Sequence, residues 1–141
     1  MKKCYTAVLI STLFLLFGCS KDFFKSYEQR IVGTWRITDI KKIGVGGTTG
    51  SLPFRNGQFT FNDDGTLTYV NDAGSTFKGT WNLQRKDVQG STYHALQITA
   101  VNFTDQQVLG EYYDDLSFYG GNRIKATINQ DYRTYITELK R

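Results

Sequence analysis

The chain has 141 residues, with 17 Lys and Arg against 13 Asp and Glu, a single His and two Cys. That length suits one domain with a core of its own. An aromatic content of 15% and a single Pro exclude a long disordered chain, which lacks the large apolar side chains that offset ordering entropy.

Lys2 and Lys3 precede an uncharged run, Ala7-Val8-Leu9-Ile10-Ser11-Thr12-Leu13-Phe14-Leu15-Leu16-Phe17. As a helix this run would measure about 16 Å, half the roughly 30 Å hydrocarbon thickness of a bilayer. A basic start, a short apolar stretch and a small residue at its end describe an export signal over residues 1–18. Leu16-Phe17-Gly18-Cys19 resembles the lipobox of bacterial lipoproteins. The resemblance implies cleavage before Cys19 and a diacylglycerol on its thiol. Residues 19–30 then form a lipidated tether ending in a short helix, where Phe23, Phe24, Tyr27 and Ile31 recur at helical spacing. Residues 31–141 form the domain.

Several acyl chains anchor stably, at about 0.8 kcal/mol per buried methylene, so the membrane is reached through lipid and the domain needs no face for it. No Asp directly follows Cys19, which by resemblance to lipoproteins of diderm bacteria implies the outer membrane, on either face. Loss of Lys2 and Lys3 leaves a net charge of +2, too weak for a nucleic-acid surface. Cys4 leaves with the signal and Cys19 is consumed by lipid. Disulfides, Cys-ligated zinc and a cysteine nucleophile fall away together.

Beyond the tether the hydrophobic period is two. Ile31, Gly33, Trp35 and Ile37 share one face, as do Phe59 and Phe61, Leu67 and Tyr69, and Phe77, Gly79, Trp81 and Leu83. His94, Leu96, Ile98 and Ala100 follow, then Leu116 with Phe118. Ile124, Ala126 and Ile128 face Tyr135, Thr137 and Leu139 across a turn. Asn62-Asp63-Asp64-Gly65, Asn71-Asp72-Ala73-Gly74, Tyr119-Gly120-Gly121-Asn122 and Asn129-Gln130-Asp131 carry turn chemistry between these runs. The stretch 104–113 fits either a short helix capped by Thr104 and Gln107 or a bulged strand. Neighbouring antiparallel strands with short turns must dispose of two sheet edges, and closure removes them. The pattern predicts an all-β fold: a small antiparallel up-and-down barrel of about eight strands, with a short N-terminal helix.

Gly33-Thr34-Trp35, opening the first strand, resembles the Gly-x-Trp signature of lipocalins, and Gly79-Thr80-Trp81 repeats it. Ile31-Val32-Gly33-Thr34-Trp35, Phe59-Thr60-Phe61-Asn62-Asp63-Asp64-Gly65-Thr66, Gly79-Thr80-Trp81-Asn82-Leu83 and Arg123-Ile124-Lys125-Ala126 occur in that order. Together they resemble the short lipocalin-like lipoproteins of Bacteroidota. The resemblance implies that Gly33 and Trp35 close the barrel's base, with a late basic residue, Arg133 or Arg141, over the indole. It implies little about activity, since one fold hosts many.

No catalytic group emerges. His94 is the sole imidazole and has no carboxylate pattern around it, so a structural role is the plain reading. Asp114 and Asp115 alternate along a strand and would not converge, and Asp63 and Asp64 suit a turn. Gly44-Val45-Gly46-Gly47 lacks the Lys and Ser/Thr of a phosphate loop. It opens a long connection, 44–53, which in a lipocalin-like barrel lies over the mouth and can act as a lid. No metal and no cofactor is implied. The aromatic side chains give the positive hint. Phe59, Phe61, Tyr69, Phe77 and Trp81 are candidates to line a site for a small apolar or amphipathic ligand. The alternative is a filled barrel that docks on an envelope protein or a polysaccharide, and the volume of the interior separates the two.

Overall fold

The computed structural model describes residues 25–46, 51–130 and 132–141. The signal over 1–18, Cys19, Phe23, Phe24, the stretch 47–50 of the first connection and Asp131 lie outside the described residues.

Helix α1 (Tyr27–Ile31) starts at Ser26, whose hydroxyl accepts the Gln29 N–H while Gln29 Oε1 accepts the Ser26 N–H, a reciprocal cap. Nine strands follow: β1 (Gly33–Gly44), β2 (Gln58–Phe61), β3 (Thr66–Val70), β4 (Thr76–Val88), β5 (Ser91–Asn102), β6 (Gln107–Tyr113), β7 (Asp115–Phe118), β8 (Arg123–Gln130) and β9 (Arg133–Lys140). All pairings are antiparallel, and they form one sheet in the order β6-β5-β4-β3-β2-β1-β9-β8-β7.

The all-β, up-and-down character agrees with the period-two pattern. The closed barrel does not: the ladder is open, because β6 and β7 are the two ends of the sheet and do not pair with each other. They are nevertheless consecutive in the chain, with Asp114 alone between them. Tyr113 still pairs with Leu96 of β5, and Asp115 already pairs with Thr127 of β8. This transfer from one edge of the sheet to the other is why nine strands appear where about eight are expected. The stretch 104–113 is resolved in favour of the strand. The Asn102 side chain accepts from the N–H groups of Thr104 and Asp105 and turns the chain into β6.

The inward rows follow the alternation. Trp35 and Ile37, Phe59 and Phe61, Leu67 and Tyr69, Phe77, Leu96 and Ile98, and Ile124, Ala126 and Ile128 are all buried in one core. Up-and-down connection sorts the loops to two ends. Connections 62–65, 89–90 and 119–122 gather at the end carrying α1. Connections 45–57, 71–75, 103–106 and 131–132 gather at the other, called here the open end.

The α1 end is sealed. Ile31 and Trp35 are fully buried, and the Trp35 indole N–H donates to the Ile31 carbonyl at 2.6 Å. Arg141 lies over the indole at 4.2 Å and donates to the Arg30 carbonyl at 2.7 Å. Arg30 in turn covers the Phe118 ring at 4.2 Å and donates to the Gly120 carbonyl. Replacing Trp35 by Ala removes the hub of this packing and should lower the unfolding free energy by about 3–5 kcal/mol. Urea denaturation checks it, and a loss below about 1 kcal/mol would contradict the sealing role.

Candidate binding site at the open end

Arg141 lies over the Trp35 ring, and Gly33 stands two residues before Trp35 on β1. Gly33 has φ +121°, a conformation that side-chain-bearing residues rarely adopt, and the nearest atom to an added Cβ is Arg141 Nη1 at an unstrained 3.7 Å. Backbone conformation, not crowding by the ring, demands glycine there. Crowding applies at Gly79, where a Cβ would meet the Thr99 carbonyl oxygen at 1.8 Å. The second expected partner of Trp35 is corrected: Arg133 begins β9 at the open end, paired with Gly44, about 25 Å along the strand from Arg141.

The rings expected to line a ligand site are buried against one another instead. Phe59 lies 4.9 Å from Tyr69 and 5.4 Å from Phe61, and Tyr69 lies 5.7 Å from Phe77. Trp81 is half-buried, edge-on to Phe61, with its N–H donated to the Asn62 carbonyl at 3.0 Å. Space inside the sheet, bounded by Phe59, Phe61, Ile98 and Leu116 among others, amounts to about 10 Å³, no more than one water. Tyr69, Phe77 and Trp81 do not border it. A larger groove of about 450 Å³ lies between Tyr119, Arg123, Lys125, Glu138 and Lys140. It is a surface feature near the sealed end and none of the expected rings enters it.

The first connection is not a loose surface link. It turns Leu52 and Phe54 inward, 5% and 1% exposed, and Phe54 packs edge-on against Phe59 at 5.2 Å and Tyr69 at 4.9 Å. The Tyr69 hydroxyl donates to the Asn56 carbonyl. That bond ties the backbone of 51–56 to β3. Two apolar side chains and one tyrosine therefore hold the segment over the open end.

Beneath it the inner face of β9 changes character. Leu139 is apolar, but the next inward positions are Thr137, Tyr135 and Arg133. Thr137 Oγ1, Tyr135 OH and Arg133 Nε are buried, and none has a partner at hydrogen-bonding geometry. Arg133 beside the Tyr135 hydroxyl lowers its pKa below the usual tyrosine value, and Ser51 and Lys42 act in the same direction. Lys42 stands opposite Tyr135 in the β1–β9 register and donates to the Gly46 carbonyl at 2.9 Å. Burial raises the pKa of Tyr113 and Tyr69, while Thr137 acts on Tyr113 in the opposite sense. Glu111 faces the interior from β6, and burial raises its pKa as well. The open half of the interior thus combines a polar wall on β9 with apolar packing around Phe54, whereas the sealed half is apolar.

Thr137, Lys42, Leu52 and Phe54 had not been singled out. A signal existed: Arg133-Thr134-Tyr135-Ile136-Thr137 places three hydrogen-bonding side chains on the face that Leu139 assigns to the core. Elsewhere the titratable groups have structural partners. The Asp64 carboxylate accepts the Thr66 N–H and hydroxyl, which lowers its pKa. Asp114 accepts the Asn129 N–H at 2.6 Å and Asp115 the His94 N–H at 3.3 Å. His94 stacks on Tyr27 at 3.5 Å. Among the described residues no three His, Cys, Asp or Glu converge on one point.

No family model matches the chain, and neither a curated protein nor a solved structure matches it.

Two outcomes follow from this geometry. A buried hydroxyl without a partner costs about 1–3 kcal/mol, so Thr137→Val should raise stability by about 1 kcal/mol in urea denaturation. A comparable loss would mean that the hydroxyl is bonded. Burial lowers the pKa of His94 against the opposing pull of Asp115. The unfolded chain therefore takes up that proton first, and stability is full above pH of about 6.5 and falls as pH drops through it. Denaturation at pH 7.5 and 5.5 should show a smaller loss in His94→Gln than in the parent chain.

Proposed function

We propose that this is a lipocalin-like envelope lipoprotein, anchored in the outer membrane through acyl chains on Cys19, whose open end binds a small amphipathic ligand without acting on it chemically. One observation carries the reading: Arg133, Tyr135 and Thr137 present buried polar atoms, Nε, OH and Oγ1, without a hydrogen-bond partner on one inner face at the open end. Buried polar groups are ordinarily bonded, and a ligand that bonds them explains their retention better than stability does. The filled core moves the site away from the expected rings. Leu52 and Phe54 occupy the apolar part of the open end, and a ligand would take their place against Phe59 and Tyr69. The tether enters at the sealed end, so the site would face away from the anchor.

Native mass spectrometry of the protein from its own host should show a retained small molecule, lost or reduced in Tyr135→Phe. Protein that carries nothing, both as isolated and after Leu52→Ser, would overturn the reading.

A second reading has its own support. Ile43, Val45, Phe103, Val108 and Tyr132 are exposed large apolar side chains on or beside the open-end connections. They suit docking on an envelope protein, and a solid core is what a docking module has. Under that reading Tyr132→Ser and Phe103→Ser abolish site-specific cross-links to a partner and leave small-molecule retention unchanged.

A further inference from the structure

We propose that the ligand's polar end is a carboxylate, held by the Arg133 guanidinium and the Tyr135 hydroxyl, on an apolar body of about ten carbons. This rests on the open end being a ligand site and adds the chemical class.

The charge around the three unpartnered atoms is positive. Arg133 brings a planar guanidinium with a fork of N–H donors. The ion pairs among the described residues join Arg36 with Asp72, Lys41 with Asp39 and Glu138, and Arg85 with Asp87, and none of them involves Arg133. Lys42 adds a second cation on the same inner face. Glu111 is the carboxylate that faces the interior from the opposite wall, and its backbone neighbour Tyr112 already donates to it at 3.1 Å.

A neutral head group, such as an alcohol, could satisfy the Tyr135 and Thr137 hydroxyls. It would offer the buried Arg133 Nε–H a weaker acceptor than an anion does, since a charge-assisted bond to a carboxylate is about twice as strong as a neutral one. A carboxylate accepts a planar pair of donors and has a second oxygen for a neighbouring hydroxyl. Arg133 and Tyr135 supply that set from alternate positions of one strand, roughly 7 Å apart at the backbone and inclined to the same space. Thr137, one step deeper, marks where the polar wall ends and the apolar core begins.

The size of the body follows from what now fills the space. Leu52 and Phe54 bury about eleven side-chain carbons in the core, with the Phe54 ring against Phe59 and Tyr69. Apolar contact is interchangeable when volume is kept, so a chain of that size can replace them. The segment that would yield, 51–56, has no ladder hydrogen bond to break.

The full chain in lipid nanodiscs would be exposed to three photo-crosslinkable ten-carbon probes that differ at the head: carboxylate, alcohol and phosphate. The sites of labelling are read by peptide mass spectrometry. The carboxylate probe should label peptides covering 51–56 and β9 at least tenfold more than the alcohol does. That labelling should fall at least tenfold in Arg133→Gln and severalfold in Tyr135→Phe. Arg133→Lys, which keeps the charge and loses the fork, should fall between. Equal labelling of these peptides by alcohol and carboxylate, unchanged in Arg133→Gln, would keep the ligand site and overturn the anion. Stronger labelling by the phosphate would overturn the carboxylate assignment. If no probe prefers these peptides to the outer surface, both the site and its chemistry fail.

Discussion

A sheet of nine strands has two edges, and here the chain itself joins them. Between Tyr113 and Asp115 the backbone leaves β5 and arrives on β8, so that no ladder links the sheet's ends and yet neither end is far from the other. The two aspartates do the stitching. Asp114 donates its N–H to Thr127 and accepts that of Asn129, both on β8, while the Asp115 carboxylate reaches back to the His94 N–H on β5. Charge-assisted bonds of this kind can stand in for missing ladder bonds at a short seam. Everything inside depends on that curl, since a flat sheet would leave one face of aromatic side chains in water.

The curl produces two unlike ends. At one, α1 packs under the sheet and Trp35 is held from below by the Ile31 carbonyl and from above by Arg141. Every polar atom named there has a partner. At the other, the inner wall carries Arg, Tyr and Thr at successive inward positions. A protein optimised for stability alone would place apolar side chains at 135 and 137, as it does at 124, 126 and 128 on the neighbouring strand. The contrast between adjacent strands of one sheet is what separates a structural interior from a receptive one.

Under the proposed reading, anchor and site would lie at opposite ends of the molecule, joined by the length of β1 and β9. The proposed acylation fixes the sealed end near lipid, and the open end, with its exposed Ile43, Val45 and Tyr132, is presented outward. Such an arrangement suits exchange of a ligand with another component of the envelope. It also accounts for a solid core: a short ligand held near the rim needs no deep cavity, and a packed base keeps the rim rigid.

Alternation of apolar and polar residues, with turn chemistry between the runs, determined the all-β character, nearly every strand and the identity of most core residues. It did so because one face of each strand must be buried and the side-chain period is two. The short helix was legible for a related reason, since it follows from local spacing, whereas a late Arg over Trp35 was only what the resemblance to lipocalins implied. Whether the sheet closes was not, because the transfer at Asp114 depends on which of two partners each half of 107–118 meets. Nor was the filling of the core: Leu52 and Phe54 sit in a segment without periodicity, and only the fold brings them to Phe59 and Tyr69. Arg133 shows the limit most clearly. Its type and its place late in the chain suit a partner for Trp35 as well as Arg141 does. The antiparallel register alone puts it at the far end of the strand, beside the Tyr135 hydroxyl.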